Sequence, residues 1–366
     1  MTERFLTGEP LLRLVATALV RMSRVREPGD PVYDATVQRA YDHIVLECLR
    51  AGTRPPGSVP GLVRWASRTP LGEWPIPVPD SVPPDTRLLD PETRTPTQQC
   101  VEWLVSAYDA AGELYENTIM LGVLDAARAR QAPEAYILFR RTVITRPVLT
   151  GNERRSLIAD VRLSFLEEQI RASWTEANPR HLRDGVYTLC ARCGLLLVPQ
   201  PGGGWYCELD RCSRDGSPKP GKRFEHGADG GLYQVERPLR TFVTGPGLAE
   251  TDLEQALLAL GLDVEMWPAF DAYDLRVTFP SGRVWAVDVK DRANPVLLGR
   301  GTRSFPTRPP HDRALLVVPR YRFQDREDYA RTFQHHLSDD LTGRVQLLSD
   351  RELLRQARKE METSHA

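Results

Sequence analysis

Asp271 to Lys290 reads DAYDLRVTFPSGRVWAVDVK, two strand-like runs joined by turn chemistry. Asp274-Leu275-Arg276-Val277-Thr278-Phe279 and Arg283-Val284-Trp285-Ala286-Val287-Asp288-Val289 flank Pro280-Ser281-Gly282, a combination that predicts a β-hairpin. Side chains alternate faces along a strand. Trp285, Val287 and Val289 therefore share one side, while Ala286, Asp288 and Lys290 share the other. Asp274, brought alongside from the neighbouring strand, puts two carboxylates and an ammonium at one spot. That set suits a Mg²⁺ (or Mn²⁺) site for cleaving phosphodiesters, with Asp274 and Asp288 on the ion and Lys290 steadying the attacking hydroxide or the developing charge.

An exposed hairpin with ordinary surface charges is the plainer reading of a bare Asp…Asp-x-Lys spacing. Two features weigh against it. Only Lys219, Lys222, Lys290 and Lys359 are lysine among 48 Lys+Arg residues. In a chain that writes nearly every cation as arginine, a lysine beside two aspartates points to chemistry that arginine does not perform. Upstream, Ala249 to Leu260 reads as a helix ending at Gly261, with Leu253, Leu257 and Leu260 on one face. Glu250 lies nearer that face than Glu254 does, so it is the candidate third acid.

Helix glutamate, strand aspartate and Asp288-Val289-Lys290 in this order resemble the PD-(D/E)xK restriction-endonuclease-like superfamily, with Tyr273-Asp274 standing where that pattern has Pro-Asp. The segments MWPAFDAYDL and VWAVDVKD are similar, more closely, to the endonuclease-like protein that accompanies prokaryotic PIWI-RE proteins, Argonaute relatives found in three-gene defence islands with a helicase. The resemblance implies a metal-dependent endonuclease acting on DNA, with Glu250, Asp274, Asp288 and Lys290 as its catalytic set. It also implies a PIWI-RE protein and a helicase as partners in defence.

The 366 residues allow two or three domains, and 41% hydrophobic with 27% charged content is ordinary for a globular chain. A formal net charge of −1 excludes bulk attraction to nucleic acid, so a DNA footprint has to come from local arginines. No apolar run reaches 18 residues and no secretory cleavage pattern is visible; no membrane association and a cytoplasmic address are expected. Six cysteines, four of them clustered, argue in that compartment for metal over disulfides.

From the start to about residue 50 the chain reads as helical, with a break at Gly29-Asp30-Pro31. Prolines crowd residues 52–96, which predicts a long, mostly irregular segment; Trp65 and Trp74 suggest that parts of it pack down as a draped loop. Helices are expected over Gln98 to Ala111, Leu114 to Arg130, Pro133 to Arg141 and Asn152 to Trp174. Arg140, Arg141 and Arg146 either face nucleic acid or rim a packing face. Cys190-Ala191-Arg192-Cys193, thirteen intervening residues, and a Cys207/Cys212 pair after the Pro201-Gly202-Gly203-Gly204 turn bring four thiolates within reach of a tetrahedral Zn²⁺. Four protein ligands leave no open position, so this zinc ribbon is expected to be structural, with His226 a weaker candidate ligand.

Residues 213–245 read as a Gly-rich bridge. Arg292, Arg300, Arg303 and Arg308 read as a mobile positive loop, and alternating strands and helices beyond it complete an α/β core. The expected organisation is α+β and multidomain. It comprises an α-helical region at 1–180, a zinc ribbon and bridge at 181–240, and a restriction-endonuclease-like domain at 241–366. Cutting both strands with one such domain would call for a homodimer, although no interface is legible. The rival is a non-catalytic DNA-binding or assembly subunit that keeps the nuclease fold as a platform.

Overall fold

The computed structural model describes residues 6–23, 33, 35–79, 82–91, 94, 96–106, 110–200, 202–214 and 216–364. The Gly29-Asp30-Pro31 break, Pro201 of the ribbon turn and residues 107–109 of the helix expected over Gln98 to Ala111 lie outside them. The architecture is mixed α+β, with a helical N-terminal region and sheets in the C-terminal part. Contacts divide the chain into two compact units, 1–113 with 292–302 and 329–338, and 114–291 with 303–328 and 339–366. Among the described residues, no helix is long and apolar enough to cross a membrane.

In the first unit, helices Gly8–Met22 and Ala35–Arg50 bury stripes at helical spacing, Leu11, Leu12, Val15 and Leu19 in one and Val37, Ala40 and Ile44 in the other. The segment expected to be irregular contains a helix, Val59–Arg68. Ser58 caps it by accepting from the Gly61 amide at 3.1 Å, and Pro60 sits in the first turn, where its missing N–H is not needed. Trp65 and Trp74 stack with ring centroids 4.3 Å apart, and Trp74 Nε1 donates to the Thr69 carbonyl. Prolines here start a helix and shape turns.

The expected loop after the hairpin is in part another helix of this unit, Pro295–Gly301. Asn294 caps it, accepting from the Val296 and Leu297 amides, and Pro295 opens it. The buried carboxylate of Glu102 accepts from the Ala293 and Asn294 amides at 2.7 and 2.8 Å, which ties this excursion to helix Gln98–Ser106. Arg300 is paired with Glu9 at 2.9 Å. The Asn-Pro start signal outweighs the glycines that suggested a loop. Of the four arginines expected there, Arg303 and Arg308 stand exposed on non-helical chain.

The second unit is organised by a five-stranded sheet with strands in the order Gln346–Ser349, Arg313–Val318, Val284–Val289, Leu275–Thr278 and Asp263–Met266. The expected hairpin is present: Leu275–Thr278 pairs antiparallel with Val284–Val289, Leu275 opposite Val287. Strands Val284–Val289, Arg313–Val318 and Gln346–Ser349 run parallel. Leu275, Val277, Trp285, Val287, Val289, Leu315 and Val317 form one buried cluster with Leu253 and Leu257 of helix Gly245–Leu258 and Leu353 and Ala357 of helix Asp350–Ser364. Burying such a row of aliphatic and aromatic side chains is the main stabilising term for the sheet, at about 1.5–3 kcal/mol per side chain.

Two expectations fail in this unit. The helix expected over Asn152 to Trp174 is broken into Gly151–Ile158, a 3₁₀ turn at Ser164–Leu166 and Glu167–Ser173, and it ends in a strand, Trp174–Glu176. That strand and Val148–Thr150 flank Leu232–Val235 in a three-stranded antiparallel sheet. Trp174 and Thr175 are strand formers, and pairing with residues 234–235 overrides the helical periodicity before them. The Gly-rich bridge, in turn, supplies strands Pro220–Glu225 and Leu232–Val235, followed by helical turns to Thr244.

Candidate active site and metal centre

Helix Pro133–Thr145 crosses helix Gly245–Leu258 where Gly247 meets Ile144 so closely that a Cβ at Gly247 would stand 2.4 Å from Ile144 Cδ1. The same contact is latched by Thr244 Oγ1, which donates to the Val143 carbonyl at 2.9 Å. Glu250 is one turn on from Gly247, and Arg140 one turn back from Ile144, so the crossing brings them face to face. Arg140 Nη2 lies 3.1 Å from each Glu250 oxygen. The neighbouring Arg141 forks onto Glu254, one turn beyond Glu250, with both bonds at 2.7 Å. Glu250 and Glu254 are therefore both buried, Glu250 slightly the more so. Arg140 and Arg141 are engaged by carboxylates, and the reading that puts them on nucleic acid is corrected accordingly.

The hairpin register sets Asp274, just before its strand, opposite Asp288 at the end of the next. Asp274 Oδ2 accepts from the Val289 amide at 2.7 Å and from Lys290 Nζ at 3.3 Å. Lys290 also donates to Asp288 Oδ1 at 2.7 Å. Asp274 Oδ1 is 3.6 Å from Arg140 Nη2, which links the strand acids to Glu250. Asp274, Asp288, Lys290 and Glu250 thus belong to one connected polar cluster.

Three members carried no signal in the sequence reading. Trp267 Nε1 donates to Glu250 Oε2 at 2.6 Å, Tyr136 donates to Asp271 at 2.7 Å, and Asp271 also binds Arg140. Trp267, Ala269, Phe270 and Asp271 have φ of 49°, 49°, 60° and 71°, a left-handed run without glycine. Such backbone is costly and persists where surrounding contacts over-determine it. Here those contacts include Trp267 on Glu250, Asp271 on Tyr136 and Arg140, and the Trp267 amide on the Asp274 carbonyl at 2.8 Å.

Electrostatics separates the acids. Burial pushes the Glu250 carboxyl up to about 7, against the pull of Arg140. Burial likewise drives Asp288 up to about 8, with Lys290 opposing and the Asp274 charge reinforcing. Burial also disfavours charge on Asp274, but Lys290, Asp288, Arg140 and the Val289 amide together outweigh it and hold this carboxyl below its usual range. Adjacent acids whose environments push them apart in this way occur at catalytic sites and in structural ion-pair networks alike. Burial works against Lys290 and Arg140 as well, yet the surrounding carboxylates raise both.

The donors fit a small hard cation. Two carboxylates converge, and Mg²⁺ takes one or two while keeping several waters. Asp288 and Lys290, with 27% and 36% of their side chains exposed, give the cluster an open side. Glu250 has both oxygens occupied by Arg140 and one also by Trp267.

The second centre is the cysteine cluster. Cys190 ends strand Val186–Cys190, the knuckle turns at Gly194 with φ 73°, and a 3₁₀ turn at Asp210–Cys212 delivers the last thiol. All four sulfurs lie within 4.8 Å of one another and all four residues are buried. Sulfurs at Zn–S of about 2.3 Å in a tetrahedron stand roughly 3.8 Å apart, so the cluster can hold one metal ion such as zinc. His226 packs against Tyr187 and is not part of the group.

A buried relay joins the two centres. Arg322, only 3% exposed, binds Asp291 at 2.7 Å, next to Lys290, and Asp210 of the cysteine segment at 2.7 Å. Tyr321 donates to the same Asp291. Arg322→Ala leaves Asp291 and Asp210 without their shared cation. We expect a loss of about 3–5 kcal/mol in folding stability by urea denaturation, whereas a loss below about 1 kcal/mol would show the relay to be incidental.

With this geometry in place, comparison with known families gives first a class. Residues 11–150 match the family described as pPIWI_RE three-gene island domain Y. More particularly, residues 247–365 match the family described as REase associating with pPIWI_RE, the same association that the hairpin segments resemble. No curated protein and no solved structure matches the chain.

Proposed function

We propose that this protein is a metal-dependent endonuclease that hydrolyses phosphodiester bonds in DNA. Its main support is the convergence of Asp274, Asp288 and Lys290 at the end of the central strand, with Glu250 joined to them through Arg140. Asp274 and Asp288 hold Mg²⁺ or Mn²⁺, which when bound polarises the phosphate and acidifies a water. Lys290, held between the two aspartates, places a fixed positive charge beside the attacking oxygen. Glu250 completes the acidic set and keeps Arg140 in register. The cysteines hold a structural Zn²⁺.

In this reading the chain has three parts, a helical region at 1–180, a zinc ribbon with its bridge at 181–240 and a restriction-endonuclease-like domain at 241–366. The family descriptions support association with a PIWI-RE protein in a three-gene island. The proposed role is defence beside that protein, with a helicase as the third component and DNA as the target. A non-catalytic platform has no use for a lysine set between two aspartates, so the same cluster weighs against the rival.

The test is incubation of purified protein with plasmid and linear DNA in Mg²⁺, Mn²⁺ or EDTA, alone and with the PIWI-RE protein and helicase. Cleavage in either metal and none in EDTA is expected. Absence of cutting in every mixture would overturn the proposal in favour of the platform.

A further inference from the structure

We propose that Arg140 is the site's built-in second cation, so that the site takes a single divalent ion, on Asp274 and Asp288, while Glu250 is reserved for the arginine. This rests on the nuclease reading above and adds a positioning residue to it. The first ground is position. Arg140 Nη2 is 3.1 Å from both oxygens of Glu250 and 3.6 Å from Asp274 Oδ1. Lys290 stands between Asp274 and Asp288 in a similar way, but its side chain is 36% exposed and can swing aside for an ion. An ion bridging Glu250 and Asp274, by contrast, would have to stand where the Arg140 guanidinium, 13% exposed, is held.

The second ground is charge. With a divalent ion bound, which favours the ionised form of the acids around it, Glu250, Asp271, Asp274 and Asp288 carry four negative charges, and Arg140 with Lys290 supplies two positive ones. One divalent ion brings the cluster to neutrality. A second would leave two uncompensated positive charges against largely buried surroundings, which is strongly unfavourable.

The third ground is that Arg140 is fixed in place. It binds Glu250, Asp271 and Tyr136 Oη, and its guanidinium lies 4.7 Å from the centre of the Trp267 ring. A guanidinium cannot vacate the position by losing its proton, as an amine could. Arg140 lies in the stretch that matches domain Y, and the acids lie in the stretch that matches the REase. The helical half therefore supplies a charge that the nuclease-like half leaves uncompensated.

The experiment is a Mn²⁺ titration of the full-length protein, read by the electron paramagnetic resonance signal of free Mn²⁺. Wild type should take up one Mn²⁺ that Asp274→Asn abolishes. Arg140→Met should take up a second ion, or bind the first at least tenfold more tightly. Adding Glu250→Gln to that variant should cancel the gain, and Arg140→Lys should stay at one ion. Two Asp274-dependent ions in wild type would overturn the assignment, and this measurement decides the matter even if Arg140→Met does not fold. A binding curve for folded Arg140→Met that superimposes on wild type would overturn it as well, leaving the nuclease reading intact. No Asp274-dependent Mn²⁺ in wild type would instead remove the nuclease reading, and this inference with it.

Discussion

Replacing Lys290 by alanine should lower metal-dependent DNA cleavage by roughly 10²–10³-fold while leaving the fold in place. The ammonium lies 2.7 Å from Asp288 and 3.3 Å from Asp274, and over a third of the side chain is exposed. It is therefore both anchored and within reach of a substrate phosphate. Its loss removes a preorganised positive charge from the reacting centre and also the cation that stabilises two adjacent carboxylates. Asp288→Ala should cost at least as much, on the order of 10³-fold, because it deletes one of two metal-holding groups and several kcal/mol of transition-state stabilisation go with it. Rates should be measured under single-turnover conditions, with DNA binding followed separately by fluorescence anisotropy. Cleavage lost with affinity retained is the expected pattern. Variants that cut as fast as wild type would sink the catalytic assignment and leave the site a scaffold.

Removing the metal from the cysteine cluster should have the largest effect on stability. The cysteine knuckle has little apolar core of its own: Leu195 and Leu197 are buried beside the four cysteines, with Trp205, Leu209 and Leu248 packed around them, while Tyr187, Leu196 and Leu232 form a separate cluster with Val148 and Ala177. For so small a unit the metal contributes most of the folding free energy, on the order of 10 kcal/mol in comparable sites. Cys207→Ser should abolish bound zinc, which wild type should carry at one ion per chain by elemental analysis. It should also open residues 181–240 to limited proteolysis. Arg322 ties Asp210 to Asp291, so the loss should reach the strand that carries Asp288 and, on the proposed function, depress cleavage too. A Cys207→Ser protein with an unchanged melting temperature, and wild type without zinc, would refute a structural zinc.

Much of this was legible from local pattern. The hairpin followed from period-two alternation around Pro280-Ser281-Gly282, and its register alone puts Asp274 opposite Asp288. The cysteine spacing identified its cluster for a similar reason: two short pairs joined by a turn can meet without help from the rest of the chain. Failures came where composition was read as conformation. Pro60 opens a helix, Asn294-Pro295 caps another, and the glycines of the bridge separate strands that pair with residues far away.

By itself, then, the sequence determined the elements whose partners are close along the chain: the hairpin with Asp274, Asp288 and Lys290, the four-cysteine group and the helix bearing Glu250. Only the tertiary structure decided that Arg140, 110 residues before Glu250, closes the acidic cluster, and that Trp267, Asp271 and Tyr136 hold it. The physical reason is that a helix face carries no record of which other helix it will meet. That choice is made where Gly247 lets Ile144 approach, and the charges on either side are then obliged to pair.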